Sequence, residues 1–420
     1  MHHVGGRDGT RAFPIVPEFE HDVVSVIYDA DPDCLDQVRE RNKQLGSKCV
    51  VLPYCLAGKT EQVVFHLNYD PYTSSLMEAD PRYSTFSMFH RGADYVLGES
   101  LKTMERRSVD AVSFDDLFSR DDAGAPPPDF LSLDTQGSEY EILLGARRVL
   151  RENVVAVVAE VEFHPIYCGQ KLFGDVSRLL AECGYHFVDF LSEGSSRCSP
   201  VRLSVGLRSG GFLISSNALF LRDADSLDRE SDPARRYAKL CKLAFISIVL
   251  GQFDYGVDCL RRARPTDGGV PEVEELSPHA YYRFLKELAA VIATAPLCHP
   301  PTFAQQHSFE ASRSRFEGVP ERPSFLYRLR EFVRRKPRLW GFALRVHART
   351  LPFMRFFGIR KRLRLNRRDF PFWGYSRVER LLLSYGLRGL ARSLRQCRRL
   401  EELYCTSERS EGPRIHSGER

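Results

Sequence analysis

The stretch Asp129-Phe130-Leu131-Ser132-Leu133-Asp134-Thr135-Gln136-Gly137-Ser138-Glu139 decides the fold. The Pro-rich loop Ala125–Pro128 leads into it. Phe130–Leu133 reads as a short strand that delivers Asp134 to its carboxyl end, the edge at which open α/β sheets bind ligands. Gly137 permits a tight turn, and Glu139 falls in the first turn of a helix running to about Leu150. That helix carries Ile142, Leu143, Ala146, Val149 and Leu150 on one face, at helical spacing.

Working outward, Val154–Val161 is nearly all apolar, as expected for a strand buried on both faces. Val176, Leu179, Leu180 and Cys183 mark a helix closed by Gly184. The apolar runs Tyr185–Leu191 and Gly211–Leu221 have no helical pattern between them and are expected to pair as a hairpin. Upstream, Val24–Tyr28 reads as a strand. A helix follows from about Asp33, with Leu35, Val38 and Leu45 apolar and Gly46 as its stop, and Cys49–Leu52 is another short strand. Strands alternating with helices imply an α/β fold with a mostly parallel sheet and a terminal antiparallel hairpin.

Near the start, Gly5, Gly6 and Gly9 form a Gly-rich turn after a first strand, which lets a cofactor approach the backbone. A simple glycine turn gives the same pattern. Asp31 ends the next strand segment, where an acidic group would accept hydrogen bonds from ribose hydroxyls. It is equally placed to cap a helix, with Pro32 at the first helical position. Glu160 and Glu162 alternate with apolar neighbours at a strand end, so one could line a pocket while the other caps or pairs with an arginine. No metal site is expected: His2-His3 is an adjacent pair, and no H-x-x-x-H spacing occurs.

The ordered set of motifs resembles the FkbM-type S-adenosylmethionine-dependent methyltransferases over about residues 1–222. Their hallmark "K-I-D-V-E-G-x-E" followed by "L-x-G-A" aligns with Ser132 to Ala146, with Ser132 for the usual Lys and Gln136 for the first Glu. Asp31-Pro32, Ala57-Gly58, Ser74-Ser75, Val112 to Leu117, Glu160 to Phe163 with Tyr167, Gly184 to Phe187, and Asn217 to Phe220 follow in the family's order. The resemblance implies a class I, Rossmann-like methyltransferase that methylates a hydroxyl of a sugar, glycan or related natural product. Carried over by position, Gly5, Gly6 and Gly9 would face the methionine end of S-adenosylmethionine, and Asp31 would hold the ribose. Asp134 would sit near the transferable methyl, and Glu139 on the pocket rim. The protein must align an oxygen nucleophile and relieve it of a proton. Asp134 and His164 are the candidate bases, and Glu139, Glu160 and Glu162 the candidate substrate contacts. His164 follows a strand end, and a loop histidine packed against Tyr167 is its other reading. The family has a longer first strand, with an acidic residue where His3 stands. The short strand leads to the expectation of either a start further upstream or a weak cofactor site, the latter making the domain a degenerate binding module.

Composition bounds the rest. The chain has 420 residues, 43% hydrophobic and 27% charged, which excludes wholesale disorder and a small disulfide scaffold. Its eleven cysteines lack any CxxC pairing, as in a reduced cytoplasmic protein. Residues 1–20 lack the apolar core of a signal peptide. Residues 321–420 hold 26 Lys+Arg against 9 Asp+Glu, a net of +17, which leaves −12 for residues 1–320. The expected organisation is a methyltransferase-like domain at 1–222, a helical extension at 223–310 and a basic aromatic helical region at 311–420. From Phe325 to Tyr404, arginines alternate with Leu and aromatics such as Phe332, Trp340, Phe356 and Trp373. Three readings follow: a helical domain packed on the enzyme with solvated arginines, a helix lying at a membrane surface, or a nucleic-acid methyltransferase or binder. No RRM, KH or zinc-finger signature supports the last.

Overall fold

The computed structural model describes residues 1–5, 17–30, 35–36, 38–40, 49–90, 93–120, 123–191, 196–201, 211–263, 276, 278–293 and 373–395. Thirteen strands are seen in them: β1 (His2–Val4), β2 (Ser25–Tyr28), β3 (Cys49–Leu52), β4 (Cys55–Leu56), β5 (Glu61–Asn68), β6 (Ser87–His90), β7 (Ala93–Val96), β8 (Thr103–Val112), β9 (Phe130–Leu133), β10 (Ala156–Glu162), β11 (Tyr185–Phe190), β12 (Ser196–Ser199) and β13 (Phe212–Arg222). The helices used below are α1 (Glu139–Leu144), α2 (Arg147–Glu152), α3 (Phe173–Glu182), α4 (Pro233–Val249), α5 (Phe253–Ala263), α6 (Ala280–Ala293) and α7 (Trp373–Ser384).

Ten strands form one sheet in the order β3-β2-β1-β9-β10-β13-β12-β6-β7, with β11 also on β13. The segment β3 to β10 is parallel throughout. β13 runs antiparallel to both β10 and β11, which gives the expected terminal hairpin. The apolar runs seen in sequence fill the centre: Leu131, Leu133, Val157, Ala159 and Phe220 are buried, with Ile142, Val149, Leu150, Leu179 and Leu180 packed on them from the helices. A strand covered on both faces has no polar side to display, which is why these runs lack alternation.

The helix expected through Leu150 is broken into α1 and α2. Gly145 stands at the break because a Cβ there would come 2.7 Å from the Gly58 carbonyl oxygen and 2.8 Å from that of Ala57. Asp115 then caps α2, its carboxylate accepting from the amides of Arg148 and Val149 at 2.9 Å each. The Ala57-Gly58, Asp115 and Gly145-Ala146 motifs, far apart in sequence, are thus one packing joint.

A second, three-stranded sheet has the order β4-β8-β5, with β5 and β8 antiparallel along Glu61–Ala111 to Asn68–Thr103. The sequence reading passed over it, because Thr103–Val112 is polar and charged along most of its length and carries no apolar period. Residues 223–236 hold a short helix at Ala224–Leu227 and the Asp232 N-cap of α4, whose side chain accepts from the Ala234 and Arg235 amides. Helices α4, α5 and α6 belong to the helical region expected after the α/β domain.

The chain divides into two compact units, 1–290 with 379–420, and 291–378. Within the first, Phe19 lies among Phe245, Phe284 and Tyr385, stacked flat on the last at 5.7 Å. Around that contact Leu382, Leu387 and Ala391 are buried, and Arg380, Arg388 and Arg392 are exposed. Most of 325–404 lies outside the described residues. No helix among the described residues is long and apolar enough to cross a membrane. The seven described cysteines are free thiols.

Candidate active site

Strand register builds the site. Val4 is level with Tyr28 on one side and Leu133 on the other, and Leu133 is level with Ala159. The residues that come next, Asp29, Gly5, Asp134 and Glu160, therefore stand in a row along the carboxyl edge of β2, β1, β9 and β10. That edge includes the place where the strand order reverses, between β1 and β9, the switch point at which such sheets bind ligands. Gly5 holds the chain back: its φ is +85°, and a Cβ would fall 1.7 Å from the Asp134 carbonyl oxygen. No other residue type fits so close an approach with that backbone.

A cleft opens at this edge. Gly5, Asp29 and Asp134 line it, with Tyr54, Phe65 and Tyr72 as aromatic walls and Ser74, Thr135, Gln136 and Ser138 as polar ones. Tyr28 closes the floor, with its hydroxyl 2.9 Å from Nδ1 of the buried His2.

The turn after β9 is bound internally. The Glu139 carboxylate accepts from the Thr135 amide at 2.6 Å, the Thr135 hydroxyl at 3.0 Å and the Gly137 amide at 2.9 Å. Glu139 is 2% exposed, so it fixes the turn from beneath instead of lining the cleft rim. Burial pushes its carboxyl up to about 7, against the opposing pull of the turn's amides. Gln136 has a φ of +57°, a left-handed conformation that non-glycine residues seldom adopt. The Ser75 hydroxyl donates to its carbonyl at 2.7 Å. Its side-chain Nε2 donates to Asp134 Oδ1 at 2.8 Å and to Glu160 Oε2 at 2.7 Å.

Glu160 and Glu162 both sit well above the usual carboxylate range. Burial is the main cause for each; Asp134 and then Glu162 add to it at Glu160, and Glu139 and then Asp134 at Glu162. Asp134 is exposed to the cleft. Glu162 is 3% exposed, behind the row. His164 stacks on Phe212 at 5.6 Å and meets Tyr83 edge-on at 6.3 Å, and it is not part of the cleft lining. Gly6, Gly9 and Asp31 lie outside the described residues.

Thus the structure brings Gly5, Asp134 and Glu160 together and sets Glu139, Glu162 and His164 apart from the cleft. Sequence reasoning missed Asp29, Tyr54, Phe65 and Tyr72. Asp29 lies two residues before the Asp31 singled out in sequence; only the register of Tyr28 with Val4 shows that Asp29 comes directly off the strand end. The aromatic walls come from a region whose strands leave no clear period. Among the described residues, no group of three or more His, Cys, Asp or Glu side chains is arranged to hold a metal ion.

A mostly parallel sheet in this order, closed by an antiparallel hairpin and carrying an acid-lined cleft at the switch point, defines the class I, Rossmann-like methyltransferase fold. Residues 3–187 match the family model described as Methyltransferase FkbM domain. The crystal structure of Methyltransferase FkbM from Methylobacillus flagellatus KT is similar at 14% identity, over 47% of this chain and 36% of that one, with a TM-score of 0.24. The chain thus spans about a third of that protein's length. No curated protein matches it.

Proposed function

We propose that the domain is an S-adenosylmethionine-dependent O-methyltransferase acting on a hydroxyl of a sugar, glycan or related natural product. The observation that carries the reading is the row Asp29, Gly5 and Asp134 at the carboxyl ends of three adjacent parallel strands, at the mouth of the cleft. The residues present fit the cofactor. A carboxylate at the end of β2 suits the vicinal hydroxyls of a ribose. A second carboxylate, across the left-handed Gly5 turn, suits a cationic ligand. When bound, S-adenosylmethionine supplies an activated methyl on a sulfonium for in-line displacement.

The rest of the work falls to the chain. Asp29 accepts the ribose hydroxyls, with Asp31 as the neighbouring carboxylate from the family motif. Tyr54, Phe65 and Tyr72 line the cleft with aromatic rings, which suit the C–H face of a sugar and exclude water from the nucleophile. Asp134, exposed in the cleft, takes the hydroxyl proton as the oxygen attacks. His164, packed between aromatic rings, is assigned no role in this step.

The test is transfer of labelled methyl from S-adenosylmethionine to a panel of neutral glycans and polyols, with an Asp134→Asn variant beside the wild type. Label in a hydroxyl-bearing acceptor, lost in the variant, supports the proposal. Label only in bases of nucleic acid overturns the acceptor class. The basic stretch 325–404 is further proposed to contact an anionic membrane surface. Its charge supports this, and salt-sensitive binding to anionic vesicles tests it.

A further inference from the structure

The sheet edge places two carboxyls side by side, and one side chain joins them. Asp134 follows β9, Glu160 is level with it on β10, and oxygens from both meet on a single nitrogen, Gln136 Nε2, at 2.8 and 2.7 Å. An amide nitrogen carries two hydrogens, so both are spent on this pair. The third side-chain position is also fixed: Gln136 Oε1 lies 3.4 Å from the Tyr167 hydroxyl, which donates to the Thr73 carbonyl at 2.9 Å. The left-handed backbone at Gln136 and the Ser75 hydroxyl on its carbonyl hold the residue in a conformation it would not choose alone. Such strain persists only where the surroundings over-determine it, and it gathers at functional sites. The family motif has Glu at this position. A carboxylate has no hydrogens to give, so a Glu here would add a third acceptor to two others.

We infer that Gln136 is a positioning residue whose amide clamps Asp134 and Glu160 side by side at the cleft, so that the proton held by Glu160 leaves when a cation enters. The inference rests on the cofactor reading under Proposed function and deepens it. Glu160 is the group that keeps a proton: burial, and then the facing Asp134 carboxylate, push it well above the usual carboxylate range. The groups facing Glu160 agree in sign: Asp134 from the end of β9, Glu139 from α1 and Glu162 from its own strand are all acidic, and Tyr167 after β10 is kept neutral by burial among them. A cation entering the cleft therefore favours the ionised form of Glu160 and expels its proton. In transfer, the acceptor O–H bond breaks and its proton goes to the free Asp134 oxygen. The acceptor oxygen's electron pair forms the bond to the methyl carbon, and the carbon–sulfur bond breaks with its pair left on sulfur.

Calorimetric titration of the full chain with S-adenosylmethionine, in two buffers of different ionisation enthalpy near neutral pH, counts the proton. Wild type is expected to release up to one proton per cofactor bound. Glu160→Gln is expected to bind with that release lost, because it keeps an acceptor for Gln136 but holds no ionisable proton. Gln136→Leu is expected to lower the release, as is Gln136→Asn, whose shorter amide cannot span both groups and which serves if the Leu variant does not fold. Wild-type binding with no proton released, or release in Glu160→Gln equal to wild type, overturns the Glu160 proton. Release in both Gln136 variants equal to wild type overturns the clamp. No binding by wild type sinks the cofactor reading and this inference with it, so the two failures are told apart by the same titration.

Discussion

His3 sits in the central strand of the sheet, 3% exposed, with neither ring nitrogen hydrogen-bonded. Burial holds its pKa down at about 3, and His2 beside it is also held well below its ordinary value by burial. A folded pKa below the unfolded one gives stability that is present above the unfolded value of 6.5 and lost as pH falls toward about 3. His3→Val removes two buried unpaired nitrogens and suits a strand. It should stabilise the fold by about 1–3 kcal/mol and flatten the acid side of the stability curve, as read by urea unfolding across pH. Glu139 is the opposite case. Its carboxylate is the acceptor for three donors of the Asp134 turn. Glu139→Gln turns an NH2 toward one or more of them and should cost about 1–3 kcal/mol in the same measurement. Of the site residues, Asp134 and Glu160 were legible as motif members. Glu139 was legible in the motif but not in its role, because the bonds that occupy it come from backbone amides that the side-chain pattern does not display.

Elements were readable where burial on both faces made them uniformly apolar. Phe130–Leu133 and Cys49–Leu52 match their expected bounds, and Val154–Val161 is shifted by two residues at its start and one at its end. The β4-β8-β5 sheet was illegible for the converse reason. Glu105, Arg106, Ser108 and Asp110 of β8 are exposed, so its apolar residues are too few to set a period of two. The break between α1 and α2 was also hidden, since Ile142 to Leu150 keeps one helical apolar face across it. What breaks the helix is tertiary, the approach of the Ala57 and Gly58 carbonyls. What restarts it is Asp115, from a different part of the chain. Asp115→Ala should therefore destabilise the domain by about 1–2 kcal/mol, the cost of a lost cap, in thermal or urea unfolding. It should leave cofactor affinity unchanged, because the joint lies outside the cleft lining.

At the scale of the molecule, two sets of buried titratable groups pull stability in opposite directions with pH. The carboxyls of Glu139, Glu160 and Glu162 all sit above their unfolded values, Glu139 at about 7. The stability they contribute is fully present below the unfolded value of 4.5 and is lost as pH rises through the folded values. The histidines of β1 lose theirs as pH falls. Melting temperature should fall from mildly acidic to mildly alkaline pH, and Glu160→Gln should make that fall shallower. The functional reading rests on one claim, that the row at the carboxyl edge of β2, β1 and β9 is a cofactor site. The most direct test is calorimetric titration of the full chain with S-adenosylmethionine, beside Asp29→Ala. The account predicts saturable binding by wild type that weakens by about tenfold or more, at least 1.4 kcal/mol, in the variant. Equal affinity in the two proteins, or no binding by wild type, would contradict it.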